Sequence, residues 1–398
     1  MIESPKISTQ TMTLNFGPSH PATHGTLRIV MELDGETIIK IVPHIGFLHT
    51  GFEKLGENMS YNQFITVTDR MNYISPLNNN IGFALAVEKL LGLEIPPRAQ
   101  YIRVIMAELS RISDHLLCTG MQALDIGAFT VFLYCFRERE KLYDLFEWIT
   151  GTRLTTSYTR IGGLASDFPD GVIPAIRRFI RDLPGTINEI EALLSRNRIW
   201  LERTKGVGVI TEEDAISYGI TGPCMRASGI QHDLRKAEPY SSYGDFNFDI
   251  PVGENGDVYD RYLVRIEEIR QSLRIVEQAV DKLPSGEINL DSDSKVTLPK
   301  KGEVYSTIEG LIYHFEIIMK NRGFGLPEGE VYMATESPNG ELGFYIISNG
   351  KREPYRIHIR PPSLLNYGIF PKLLEGSMIS DAVAVLGSLN IIAGELDR

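Results

Sequence analysis

The sequence predicts an α+β protein, mainly helical, with β structure at both ends. Three observations carry this. The first 44 residues alternate apolar and polar side chains around an Asp-Gly pair. The middle repeats apolar residues at three- and four-residue spacing. The last quarter alternates again, around two Asn-Gly pairs.

At the start, Met12, Leu14 and Phe16 alternate with polar residues, and so do Leu27, Ile29, Met31 and Leu33. Asp34-Gly35 then predicts a type I′ hairpin and a return strand over 37–42. The middle predicts helices at 78–94, 98–118, 129–150, 172–183, 185–204, 257–283 and 305–320. Pro96-Pro97 and Gly151 serve as stops. In 98–118 the apolar stripe is Ile102, Ile105, Leu109, Ile112 and Leu116. Residues 291–301 read as a polar connector. Strands follow at 330–337, 341–348 and 354–360, with Asn339-Gly340 and Asn349-Gly350 as I′ turns. A helix over 379–389 precedes the closing GELDR. The organisation read from this is an N-terminal β region (1–50), a helical core (51–325) and a C-terminal β region with a final helix (326–398).

A formal charge of −11 makes nucleic acid a poor partner. No stretch approaches the roughly 18 apolar residues of a membrane span, and the start lacks the basic and apolar regions of a secretory signal. The expectation is a cytosolic protein that reaches a membrane only through a partner. Cys118, Cys135 and Cys224 are odd in number and share no Cys-x-x-Cys spacing, so they read as small buried side chains.

Four of the eight histidines fall in the first 49 residues: His20, His24, His44 and His49. His20 and His24 sit in GPSHPATHG, where two glycines and two prolines specify a shaped loop. A zinc pair would need His-x-x-x-His on a helix, which Pro18 and Pro21 oppose, and no thiol pair stands near. Structural and proton-handling roles remain open. Arg70 and Tyr73, in TDRMNY, follow a β-like run over 64–68. Tyr73 taken alone reads more readily as a core tyrosine. Asp125, in ALDIGA between two helices, reads as a cap or as the partner of a buried cation, because unpaired burial costs several kcal/mol. In FREREKLYDLFEW, Arg137 to Lys141 read as i,i+4 pairs on a solvated or subunit-facing helix surface. No phosphate-loop or dinucleotide fingerprint is present, so an associated NADH site would lie on another chain.

Taken in order, GPSHPATHGTLR, PHIGFLHTGFEK, AVEKLLGLEIPPRA, IRVIMAELSRISDHL, FREREKLYDLFEWITG, YTRIGG, GVGVI, RASGI, DLRKAEPY, GDVYDRYLVRIEEIR and the closing ELDR resemble the 49 kDa, or D, subunit of respiratory complex I. The resemblance runs from about residue 12 to the end. It implies the fold of the large subunit of nickel–iron hydrogenases, but without the two Cys-x-x-Cys pairs that hold the hydrogenase metal. It therefore implies no metal on this chain and a cavity kept for quinone. The terminal tetranuclear iron–sulfur cluster lies on the adjoining B subunit. It further implies a peripheral place on the cytoplasmic side of the cell membrane, with subunits B, C, I and H as neighbours and proton pumping as the outcome.

Residue by residue, the resemblance assigns quinone headgroup contacts to His24 and Tyr73 and pairs Asp125 with His24. It sets Arg70 near the partner's cluster. Thr155 and Thr156 stand in the segment 151–157, where many relatives have a histidine. His232 stands where relatives often carry an aromatic residue. Competing readings are a ferredoxin-driven relative of the complex and a hydrogenase-like scaffold that binds no quinone.

Overall fold

A computed structural model of the chain describes residues 11–291, 296–319 and 323–398. It is α+β. Strands Met12–Phe16, Arg28–Asp34 and Thr37–His44 form an antiparallel sheet in that order. Asp34 pairs with Thr37, so Gly35 and Glu36 are the central turn residues, and of these Gly35 alone has positive φ, at 65°. The expected type I′ turn needs positive φ at both, so the register corrects it to a turn with glycine at the first central position. The same correction applies at the other end. Ser337 pairs with Gly340, which makes Pro338 and Asn339 central. Proline second and glycine fourth is the preference of a type I turn. The strands Gly329–Ser337, Gly340–Ser348 and Arg356–Arg360 complete this second antiparallel sheet.

The helical middle differs from expectation where local signals competed. Residues 61–68 form a helix despite the β-branched run Ile65 to Thr68. Gln63 Oε1 accepts from the Ser60 N–H at 3.2 Å, half of a capping box that the β-like pattern hid. The helix that opens at Pro97 runs on to Asp125, because only Gly120 interrupts its last two turns. A Cβ on Gly120 would lie 3.0 Å from the Cys135 Cβ, so this glycine serves the close approach of the Phe129–Thr150 helix. Val172–Leu194 is continuous through Pro184. Its buried stripe of Ile176, Phe179, Leu183, Ile187 and Ile190 keeps helical spacing across the proline. Asn197 caps a separate helix, Arg198–Thr204. The expected 305–320 helix is two, Lys301–Ser306 and Ile308–Ile318, with Thr307 capping the second. Residue 320 and part of the 291–301 connector lie outside the described residues. Phe129–Thr150 and Ile379–Leu389 match expectation.

The two ends of the chain share a core. Ile29, Met31 and Ile38 of the first sheet pack with Phe370, Leu374 and Leu389. The C-terminal sheet buries Phe344, Ile346 and Ile357 against Phe64 and Phe83. Between them, the long helices enclose charge as well as carbon. The Arg226 guanidinium, fully buried, bridges Glu268 at 2.7 Å and Glu336 at 2.8 Å, and Glu268 also meets His115 at 2.7 Å. The run 136–148 is likewise not a simply solvated surface. Glu138 is buried between Arg137 and Lys141, and Arg139 is buried against Ser113 and Tyr143.

Candidate functional site

The GPSHPATHG loop is built by its glycines and by one of its histidines. A Cβ on Gly17, φ 82°, would fall 2.3 Å from the Leu27 carbonyl oxygen, so no other residue fits there. His20 Nδ1 accepts from the Ala22 N–H at 3.2 Å, and its ring stacks on Phe16 at 4.1 Å. Thr23 Oγ1 donates to the His20 carbonyl at 2.7 Å. His20 is thus a structural part of the loop. The one-turn 3₁₀ helix that it caps, Pro21–Thr23, ends on His24 in the left-handed conformation, φ 51° and ψ 24°. A non-glycine residue at positive φ is uncommon and marks a specified position.

Tyr73 is placed by Asn72, whose Oδ1 accepts from the N–H groups of Ile74 and Ser75 at 3.2 and 3.1 Å. This Asx turn bends the chain into the next helix, Pro76–Leu91, whose N-cap is Ser75. Burial raises the Tyr73 hydroxyl pKa, and the Ala393 backbone N–H partly offsets the effect. Asp125 is the last residue of its helix and caps neither neighbour; the next helix is entered through Ala128. Burial pushes its carboxyl up to about 6, and the carbonyl end of the helix favours the neutral form further.

His24, Tyr73 and Asp125, from three separate segments, line one cavity of about 630 Å³ including its open mouth. Leu117, Met121 and Ile392 supply apolar wall. That mixture of wall suits an organic ligand held by a few polar groups. His24 stands exposed at the mouth, where partial desolvation lowers its pKa. Among the described residues no hydrogen bond or ion pair joins His24 to Asp125, and each is shifted by its surroundings toward its neutral form. The implied charge pairing is therefore not formed in this structure.

Arg70, Thr155 and Thr156 do not line this cavity. Arg70 is exposed and makes no ion pair among the described residues. Its neighbour Asp69 is buried, with its carboxyl pushed up to about 6 by desolvation. Asn80 ties this segment to the threonines' segment, donating to Thr68 Oγ1 at 2.9 Å and accepting from the Tyr158 N–H at 3.3 Å. Thr156 is fully buried with an unpartnered hydroxyl, and Thr155 is half-buried. The His232 carbonyl accepts from Arg226 at 2.9 Å, a backbone role that gives its ring no assignment.

Sequence reasoning missed the contribution of the C-terminal tail. Asp397 accepts from the N–H groups of Gly46 and Leu48 at 2.9 and 2.7 Å, and its carbonyl lies 2.7 Å from His49 Nδ1. Asn390, Ile391 and Ile392 line the cavity. Nothing in their spacing signals this, since the contact spans the whole length of the chain. Cys118, Cys135 and Cys224 are buried and free. Among the described residues, no three His, Cys, Asp or Glu side chains converge as a metal site.

A helical core between two small antiparallel sheets, with a mainly apolar cavity holding a few polar groups at the junction of the chain ends, defines a class rather than a single protein. Comparison with known proteins narrows it. Residues 125–398 match the family described as respiratory-chain NADH dehydrogenase, 49 Kd subunit. The NADH-quinone oxidoreductase D subunit of Geobacter metallireducens is 55% identical over 391 residues, covering 98% of this chain and all of that one. Its counterpart in Geotalea uraniireducens is 53% identical over the same length, with the same coverage. The counterpart in Myxococcus xanthus is 52% identical over 392 residues, 98% of this chain and 94% of that one. The chain belongs to the 49 kDa subunit family of respiratory-chain NADH dehydrogenase, and so is one subunit of an NADH:quinone oxidoreductase complex.

Proposed function

We propose that this chain forms the quinone-reduction site of its complex. His24 and Tyr73 act as headgroup contacts and Asp125 as an acid set behind them. One observation carries the reading: three polar residues from distant segments converge on a single, otherwise largely apolar cavity. Reduction of a quinone to a quinol takes two electrons and two protons. Histidine and tyrosine can each donate a hydrogen bond to a carbonyl oxygen as negative charge builds there. Desolvation at the cavity mouth lowers the His24 pKa and favours its neutral form, whereas charge arriving on the ligand favours its protonation, so proton uptake follows the electrons. Asp125, near pKa 6, can hold or release a proton around neutrality.

Electrons would come from the tetranuclear cluster of the adjoining B subunit. Arg70, exposed and without an ion pair among the described residues, suits a surface that faces it. No helix among the described residues is long and apolar enough to cross a membrane. A peripheral position on the cytoplasmic side, held by subunits B, C, I and H, fits that finding, and proton pumping then belongs to the complex as a whole. The relatives' names favour NADH over ferredoxin as the donor.

The test compares two activities of the assembled complex. His24→Ala and Tyr73→Phe should impair reduction of short-chain quinones. NADH oxidation by an artificial acceptor, which does not need this chain's cavity, should persist. Equal loss of both activities would mean failed assembly and would remove the support for the site.

A further inference from the structure

Asn390 ends the Ile379–Leu389 helix in the left-handed conformation, φ 53°, which asparagine tolerates better than most residues. Its side chain is tied down from behind. Nδ2 donates to Asp114 Oδ1 at 2.7 Å and to Asn339 Oδ1 at 2.5 Å, both fully or nearly fully buried. Both amide hydrogens are thereby used. Among the described residues Oδ1 accepts from no donor, and it is not among their buried atoms left without a partner. Asn390 itself lines the cavity. Protonation of Asp114 on its other oxygen would leave this arrangement unchanged.

We propose that Asn390 determines which redox form the cavity prefers, presenting a fixed acceptor that binds a quinol hydroxyl and offers nothing to a quinone carbonyl. The inference rests on the quinone-site reading above. The chemistry is one-sided. Quinone oxygens only accept hydrogen bonds, whereas quinol oxygens also donate. His24 and Tyr73 can each donate and so can serve the oxidised ligand, which Asn390 Oδ1 cannot. An acceptor with both its hydrogens committed elsewhere cannot rotate to serve it without leaving Asp114 and Asn339 unpaired in the interior. Asn390 therefore strengthens binding only after the protons have arrived, and it retains product relative to substrate.

The experiment measures, on the assembled complex, the KM for a short-chain quinone and the Ki of the matching quinol as product inhibitor. Artificial-acceptor activity reports assembly. Asn390→Gly keeps the left-handed backbone and should raise the quinol Ki about five-fold, the worth of one neutral hydrogen bond, with the quinone KM little changed. The paired exchange of Asn390→Asp with Asp114→Asn keeps an oxygen toward the cavity and an amide behind it, and should leave Ki near the parent value. Should the glycine variant not assemble, Asp114→Leu alone decides. It keeps the bulk but removes the acceptor that holds the Asn390 amide, so the amide can turn, and Ki should rise and KM fall. An unchanged ratio of Ki to KM in these single variants, or equal shifts in both, overturns the proposal. His24→Ala and Tyr73→Phe, run in parallel, separate the two levels. If neither alters KM or Ki, the quinone-site reading itself fails. If they do and the Asn390 ratio is flat, only the Asn390 inference fails.

Discussion

Gly394 packs on the backbone of Met71: a Cβ built on Gly394 would lie 2.7 Å from the Met71 carbonyl oxygen and 2.8 Å from that of Arg70. The C-terminal helix Ala393–Asp397 thus rests directly on the segment that carries Arg70 and Tyr73. Gly394→Ala must push the two apart, because the obstructing atoms are backbone. The expected outcome is a several-fold higher quinone KM while artificial-acceptor activity is kept, since the shift displaces Tyr73 more than it unfolds the chain. Gly387→Ala, whose added Cβ would meet its nearest atom at 3.6 Å on the neighbouring helix, is the control and should be mild.

The buried ion network makes a second prediction. Arg226 is fully buried between Glu268 and Glu336. Arg226→Met would leave two carboxylates without their cation, a class of change that costs roughly 3–5 kcal/mol. Thermal denaturation and assembly yield should both fall. Adding Glu336→Gln should recover part of the loss, because one of the stranded charges is then gone.

A third prediction concerns pH. Burial lifts the Glu395 carboxyl to about 8, while Ser363 Oγ donates to it at 2.5 Å. The folded chain holds this proton where the unfolded chain, near the ordinary value of 4.5, has lost it. Its contribution to stability therefore declines as pH rises from about 4.5 through about 8 and is constant above. Glu395→Gln still accepts from Ser363 and cannot ionise. Relative to the parent it should gain roughly 2–3 kcal/mol between pH 6 and pH 9, at about 1.4 kcal/mol per pH unit up to the folded pKa. Melting temperatures at the two pH values check this; parallel curves would mean that Glu395 does not titrate in that range.

Elements whose own sequence contains their start and stop were legible from the residues. Phe129–Thr150 and Ile379–Leu389 carry uninterrupted periodicity, and the first ends at Gly151. Signals that depend on a partner were not. Gly120 looks like a breaker until Cys135 is seen against it. The glycine of Asp-Gly sits first in its turn because strand pairing, not local preference, sets the register. At the site, His24 stood out through its loop, whereas Tyr73 and Asp125 became distinguishable from a core tyrosine and a cap only through the resemblance. Asn390 carried no signal, since its function rests on Asp114, 276 residues away. The resemblance supplied the His24–Asp125 pairing, and the fold brings the two to one cavity without that bond.

The last prediction concerns Thr155 and Thr156. If this segment faces the partner's cluster, a threonine there has no proton to exchange between about pH 5 and 9. A histidine at that place would take up a proton as the cluster gained negative charge. By reciprocity, the cluster potential would then fall as pH rises through the histidine's titration range. The potential in this complex should accordingly be less pH-dependent than in relatives with the histidine. The two positions are not equivalent. Thr156 is fully buried, so Thr156→His would overpack and should lower assembly, whereas half-buried Thr155 has room toward the surface. Thr155→His should therefore introduce a pH slope in a redox titration of the cluster's EPR signal, and quinone reduction should continue, since His24, Tyr73 and Asp125 are untouched. A steep slope already present in the parent complex would reveal another titrating group beside the cluster. Asp69, buried next to Arg70 with its carboxyl pushed up to about 6, is then the first residue to replace, by Asp69→Asn.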